Sequence, residues 1–354
     1  MTDIRALLRD SAAELVPYDP ALAPVEINLS ANENTRGLPP AAREAVLSAI
    51  ADVSANRYPV PLADELRARL AMRAGVAPER VIVGNGGDEL IFNLLLAFGG
   101  AGRTVVTAPP AFSVYKLYAE LLECTVVEVP RDAETFAPDA DALAEAAADA
   151  HIVFLTSPNN PTGELFPREG VEKIARAAKG IVLLDEAYIE FADEGADAAD
   201  LLDAYDNLAI LRTFSKAYAL AGARVGYALA DPRVISALAA VRQPYSVNVF
   251  SQAAALAALA HADAFAADLA DIRAERERLA QALEAAGARV WPSDANFLLV
   301  RVSDAHRVWE RLRDEWSILV RDFSSAPGLE GCLRVSVGTR EENDKLAAAI
   351  AALV

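Results

Sequence analysis

The chain has 354 residues, enough for one large and one small domain, and its formal charge of -18 argues against a nucleic-acid backbone as partner. Two cysteines, Cys124 and Cys332, and three histidines, His151, His261 and His306, are too few and too scattered for a disulfide framework or a histidine-rich metal centre. The apolar stretch Ala253 to Ala270 is interrupted by His261, Asp263 and Asp268, and Met1-Thr2-Asp3-Ile4-Arg5 lacks the features of a signal peptide, so a cytoplasmic protein with no metal and no membrane span is expected.

In chain order, Ile4, Leu7 and Leu8 suggest a short helix, and Pro17 and Pro20 break regular structure, making residues 1–30 an arm. Pro39-Pro40 starts a helix with Val46, Leu47 and Ile50 on one face, and a second helix is expected from about Leu62 to Ala74. Between them Asn56-Arg57-Tyr58-Pro59 reads as an extended turn, because a residue before proline avoids the helical basin. Short apolar runs then alternate with helical segments: Val81–Val83, Thr104–Thr107, Val126–Val129, Ile152–Leu155, Ile181–Leu184, Leu208–Leu211 and Val225–Leu229. Such alternation predicts an α/β fold with a mostly parallel sheet covered on both faces. A long helical region follows from about Phe250, with Ile272, Leu279 and Leu283 inward and Arg273, Glu275, Arg276, Glu277 and Arg278 as a charged face. Strands at 296–302 and 332–337, with helices near 305–315 and 341–353, predict a smaller α+β unit. The expected division is therefore an arm over 1–30, a large domain over 31–255 and a small C-terminal domain over 256–354 packed with the N-terminal segment.

Ligands in open α/β sheets sit beyond the carboxyl ends of the strands, so the segments following each run carry the chemistry. Gly84-Asn85-Gly86-Gly87-Asp88-Glu89 follows a strand and opens a helix; it is either a tight turn with Asp88 helping to cap the helix or a cradle whose backbone amides face a phosphate. It is not a dinucleotide fingerprint, because Glu89 stands where the third glycine belongs. Ser157-Pro158-Asn159-Asn160-Pro161-Thr162-Gly163 is a turn by composition, with the Asn160 amide able to reach a ligand. Asp185 ends an apolar run and suits a helix cap, a metal or a buried cation, of which metal has the least support because no matching ligands are evident. A lysine at a strand end is ordinarily solvated, but Lys216 stands beside Ser215 and upstream of Arg224, which together can hold a phosphate. With Asp185 for a ring nitrogen, Tyr188 and Asn160 for a phenolic oxygen, and the Lys216 amine for an aldehyde, one ligand matches every handle: pyridoxal 5'-phosphate.

The order of these motifs, with Asn32-Glu33-Asn34, Arg57-Tyr58-Pro59, Leu319 to Phe323 and Gly328 to Thr339, resembles the fold-type I pyridoxal-phosphate-dependent aminotransferases over nearly the whole chain and, within them, the histidinol-phosphate aminotransferase family. The resemblance implies a seven-stranded, mostly parallel sheet in the large domain. It implies that Lys216 carries the cofactor as a Schiff base and shuttles a proton, that Asp185 pairs with the ring nitrogen, and that Tyr188 and Asn160 bond the ring oxygen. Phe112 is implied to stack on the ring, and Gly86, Gly87, Asp88, Ser215 and Arg224 to surround the phosphate. Tyr58 is implied to reach that phosphate from the other subunit of a homodimer with shared active sites. Arg321 and Arg334 look like the receivers of the substrate's anionic end, with Tyr18 closing over it; for Arg334 a plain sheet-surface arginine is the other reading. After Asn34 the family continues with proline, an aromatic residue and glycine, whereas this chain has Thr35-Arg36-Gly37.

The implied reaction passes an amino group from L-histidinol phosphate to 2-oxoglutarate, giving imidazole-acetol phosphate and L-glutamate. An aromatic or broad-range aminotransferase, a pyridoxal-phosphate-dependent decarboxylase of a phosphorylated amino acid, and a cofactor-binding module without turnover are the alternatives. The failed glycine fingerprint disfavours a nicotinamide-dependent dehydrogenase.

Overall fold

A computed structural model describes residues 3–13 and 23–354, so Tyr18 and much of the expected arm lie outside the described residues. Strand β1 (Ile27–Asn28) comes first; β2 (Val81–Gly84), β3 (Thr104–Thr107), β4 (Thr125–Glu128), β5 (Ile152–Thr156), β6 (Ile181–Asp185), β7 (Leu208–Thr213) and β8 (Gly226–Ala230) then form a seven-stranded sheet ordered β2-β8-β7-β6-β5-β3-β4. β3, β4, β5, β6 and β7 pair parallel, whereas β8 runs antiparallel to both β2 and β7. The central runs are apolar throughout because both faces are covered: Val153, Leu155, Val182 and Leu184 enter one core, and Ile152, Phe154 and Leu183 enter the other.

Helices α1 (Asp10–Ala13), α2 (Pro40–Ala51), α3 (Asp64–Ala74), α4 (Gly87–Phe98), α5 (Val114–Leu121), α6 (Ala140–Ala147), α7 (Arg168–Ala177), α8 (Pro232–Val241) and α9 (Val249–Ala260) precede or flank this sheet. The second sheet is antiparallel throughout, with β9 (Arg289–Val290), β10 (Phe297–Arg301), β12 (Arg321–Asp322) and β13 (Cys332–Ser336) in the order β12-β13-β10-β9. Helices α10 (Ala266–Ala285), α11 (Ala305–Trp316) and α12 (Arg340–Leu353) pack on it through Leu279, Leu283, Val308, Leu312, Leu346 and Ile350. The remaining strand, β11 (Ile318–Leu319), pairs parallel with β1, so the N-terminal segment is stitched to the C-terminal third.

Three expectations need correction. The long helical region from Phe250 is two helices, α9 and the stretch Ala262–Ala285, bent by 75°; His261 leaves helical geometry and the following turn drives Phe265 into the core. The charged face of α10 is only partly a surface. Glu275 and Arg276 are buried because they are satisfied: Glu275 accepts from Arg278 at 2.7 Å and Asn343 at 3.0 Å, while Arg276 donates to the carbonyls of Phe191 and Ala295. On α2, Val46 is buried but Leu47 remains exposed within the protomer. Among the described residues no single helix is long and apolar enough to cross a membrane.

Candidate active site

Thr156, Asp185 and Thr213 are the last residues of β5, β6 and β7, and all three line one cavity at the carboxyl edge of the large sheet. The reversed direction of β8 completes that edge. Its first residue, Gly226, pairs with Gly84 at the end of β2 on one side and with Thr213 on the other, which brings the glycine loop beside the lysine loop. The approach leaves no room for a side chain: a Cβ on Gly226 would stand 2.6 Å from the Gly87 nitrogen.

Lys216 is part-buried three residues beyond β7, its Nζ donating to the Ala31 carbonyl at 2.9 Å and lying 5.7 Å from the centre of the Tyr188 ring. Burial, aided by the nearby Arg334 cation, pushes its amine down to about 8, where a neutral nucleophile is accessible at ordinary pH. Asp185 is more enclosed: Oδ2 accepts from the Tyr115 phenol at 2.6 Å and Oδ1 from the Ala187 amide at 3.0 Å. Loss of solvent pushes this carboxyl up to about 6, and the phenol bond opposes the rise. The Tyr188 hydroxyl accepts from Asn32 Nδ2 at 3.1 Å, and burial raises its pKa.

Arg224 and Asp88 face each other across the glycine loop, Nη2 to Oδ2 at 2.9 Å, both about half exposed. Asp88 is thus an ion-pair partner, and Glu89 instead accepts from the Asn85 amide of the turn. Gly86 has φ +81°, and a Cβ there would sit 2.5 Å from Arg224 Nη2, so only glycine lets the arginine close over the start of α4. Ser215 is buried next to this cradle and accepts from Thr213 Oγ1 at 2.9 Å.

Across the cavity, Arg321 on β12 and Arg334 on β13 are directly paired residues of antiparallel strands, which places two guanidinium groups on one face. Arg334 is buried, so it is no surface arginine; it donates to Asn160 Oδ1 at 2.6 Å and to the Ser30 carbonyl at 2.6 Å. Like charges set opposite each other are unfavourable unless an anion or a dipole lies between them.

Of the residues singled out from the sequence, Gly87, Asp88, Phe112, Asn160, Asp185, Tyr188, Ser215, Lys216, Arg224, Arg321 and Arg334 line this one cavity. Gly86 borders it through Arg224. Tyr58 does not reach it within the protomer; it is 81% exposed and stacks on Tyr245 at 4.6 Å. The unusual Thr35-Arg36-Gly37 turns away, with Arg36 Nη2 bonded to Asp271 on α10 at 2.6 Å. Tyr115, Thr156 and Asn32 also line the cavity, and sequence reasoning assigns them no place in the site. Tyr115 lies three residues after Phe112, at the start of α5, and that spacing is the one signal that could have found it.

The arrangement can present a nucleophilic amine, hold a buried cation against Asp185, and grip anions at two ends. Comparison with known proteins agrees. The family described as aminotransferase class I and II matches residues 24–350. Histidinol-phosphate aminotransferase 1 of Carboxydothermus hydrogenoformans is 42% identical over 342 residues, covering 96% of each chain. Histidinol-phosphate aminotransferase of Thermococcus kodakarensis is 43% identical over 339 residues, again 96% of each. Among solved structures, histidinol-phosphate aminotransferase from Sinorhizobium meliloti in complex with pyridoxal-5'-phosphate superposes with a TM-score of 0.86 at 31% identity, over 93% of this chain and 92% of that one. Fold, site and sequence together make this chain a member of the class I and II aminotransferase family.

Proposed function

We propose that the protein passes an amino group from L-histidinol phosphate to 2-oxoglutarate, giving imidazole-acetol phosphate and L-glutamate in histidine biosynthesis, with pyridoxal 5'-phosphate as cofactor. The observation that carries this reading is the meeting of a part-buried amine, a buried acid and two separate anion grips in one cavity. Relatives above 40% identity over 96% of the chain bear the name of that activity.

The residues present fit the cofactor. Gly86 leaves open the space a Cβ would fill against Arg224, and Asp185 is bonded by a phenol and a backbone amide rather than by a basic side chain, which suits a protonated ring nitrogen. Gly86, Gly87, Asp88, Ser215 and Arg224 would hold the phosphate, the free amides at the start of α4 adding their partial positive charge. Asp185 would hold the ring nitrogen, Tyr188 and Asn160 the ring oxygen, Phe112 a ring face, and Lys216 the aldehyde carbon. Bound there, the cofactor supplies an electron sink for charge developing at the substrate's α-carbon. The Lys216 amine would take the proton from that α-carbon and hold it for return during the exchange. Its lowered proton affinity suits both directions of transfer. Arg321 and Arg334 receive the anionic end of each substrate, which is a phosphate monoester in the donor and a carboxylate in the acceptor. Tyr18 is assigned to closing over that end.

The reading extends to the assembly. Tyr58, Val60, Tyr245, Phe250 and Met72 are exposed apolar residues around α9: Tyr58 stacks on Tyr245, Gln252 on α9 bonds the Val60 carbonyl, and Met72 shares a hollow with Ala253 and Leu256. A patch of this kind supports a homodimer in which Tyr58 serves the partner's phosphate site. We also retain a large domain over 31–255, a small one over 256–354 packed with the N-terminal segment, and the cytoplasm as place of work.

Purified protein given histidinol phosphate and 2-oxoglutarate should form glutamate with a kcat/KM well above that with phenylalanine as donor. A preference for phenylalanine would shift the assignment to an aromatic aminotransferase, and carbon dioxide release without an oxo acid to a decarboxylase.

A further inference from the structure

Tyr115 touches both the acid and the aromatic residue assigned to the cofactor ring. Its phenol donates to Asp185 Oδ2 at 2.6 Å and lies 3.1 Å from Thr156 Oγ1. Because an ionised carboxylate can only accept, the phenol proton points to Asp185 and the threonine hydroxyl donates to the phenol oxygen, forming a chain from β5 to β6 through α5. The Tyr115 ring is stacked on Phe154, with centroids 4.7 Å apart and planes within 9°, and meets Phe112 edge-on at 5.6 Å. It is only 1% exposed. Phenylalanine would fill the same space, so the buried hydroxyl calls for a role that packing does not supply.

We propose that Tyr115 is a positioning residue for transamination: its phenol holds Asp185 as an oriented carboxylate toward the cofactor's ring nitrogen, and its ring edge sets the tilt of Phe112 against the ring face. The inference rests on the cofactor assignment above. The groups facing Asp185 come from every side of the cavity: Tyr115 from α5, Asp88 from α4, Lys216 from the loop after β7, and the Ala187 amide from its own turn. Asp88 and burial favour the neutral acid, whereas the phenol, the amide and Lys216 favour the carboxylate. The phenol is the largest of the opposing influences, so the balance moves when it is removed. The phenol itself holds its proton far above the ordinary tyrosine range because it is buried beside that carboxylate, and it therefore stays a donor throughout the working pH range.

The test is Tyr115→Phe, with Thr156→Val as a gentler second variant that leaves the phenol in place. In cofactor-free protein, carbon-13 spectra of labelled aspartate, with the Asp185 signal assigned by its loss in Asp185→Asn, read the carboxyl directly. Tyr115→Phe should move the Asp185 midpoint upward by about one pH unit or more, and Thr156→Val by less in the same direction. In equilibrium dialysis with pyridoxal 5'-phosphate, the ratio of the variant's dissociation constant to that of the wild type should grow roughly fivefold or more as the pH falls from about 8 to about 6. An unmoved Asp185 midpoint in Tyr115→Phe, with an unchanged near-ultraviolet circular dichroism spectrum, overturns the proposal. An unmoved dissociation-constant ratio overturns it too. Failure of the wild type itself to bind the cofactor would instead overturn the cofactor assignment, while the midpoint shift would still report on Tyr115.

Discussion

At the scale of single residues the site depends on what burial does to Lys216. An ordinary lysine, titrating near 10.5, has about one neutral amine in three thousand at pH 7; an amine lowered to about 8 has about one in ten. The neutral form is the nucleophile, so the rate at which the cofactor-free protein captures pyridoxal 5'-phosphate should climb about tenfold per pH unit below about pH 8 and level off above it, as followed by the visible absorption of the bound cofactor. Lys216→Ala should show no such band and lose turnover by on the order of 10⁴-fold, because the proton carrier goes with the amine. A band of normal position and intensity in that variant would remove Lys216 from its assigned role.

At the scale of elements, the edge where β2, β8 and β7 meet holds the proposed phosphate cradle together. A methyl group on Gly226 would press on Gly87 N and Gly86 C at 2.6 and 2.7 Å, both backbone atoms that cannot swing aside. Gly226→Ala should therefore cost roughly 1–3 kcal/mol in unfolding free energy, measured by urea denaturation, and weaken cofactor binding at the same time. Full cofactor affinity in the Gly226→Ala variant would show that the loop is not the cradle. Much at this scale was legible in the sequence. β5, β6 and β7 announce themselves as apolar runs, and α12 begins at a capping box, with Thr339 and Glu342 bonding each other's backbone amides. The break between α9 and α10 was not, since an alanine-rich stretch is compatible with one helix or two until Phe265 finds its place in the core. Nor was the burial of Glu275, whose partner Asn343 comes from a helix 68 residues away.

For the whole molecule the proposed homodimer poses the decisive question of whether Tyr58 works in its own protomer or in the partner. It is exposed and is not among the residues that line the cavity of its own protomer. Mixed dimers of Lys216→Ala and Tyr58→Ala settle the matter: if the tyrosine acts across the interface, one site per mixed dimer is intact, and activity recovers to about a quarter of wild type when the subunits mix at random. No recovery above the two parent variants, in a mixture shown to exchange subunits, would place Tyr58 outside the shared site.

The sequence by itself determined the alternation of strands and helices, the residues that could hold a phosphate, an aldehyde and a ring nitrogen, and through them the family, because each of these is written in local composition and spacing. Only the tertiary structure decided how those residues meet. The antiparallel course of β8, the pairing of Arg321 with Arg334, the hold of Tyr115 on Asp185 and the bond of Arg36 to Asp271 all join positions apart along the chain. Such contacts are set by sheet order and by which buried groups find partners, and neither leaves a periodic mark in the sequence.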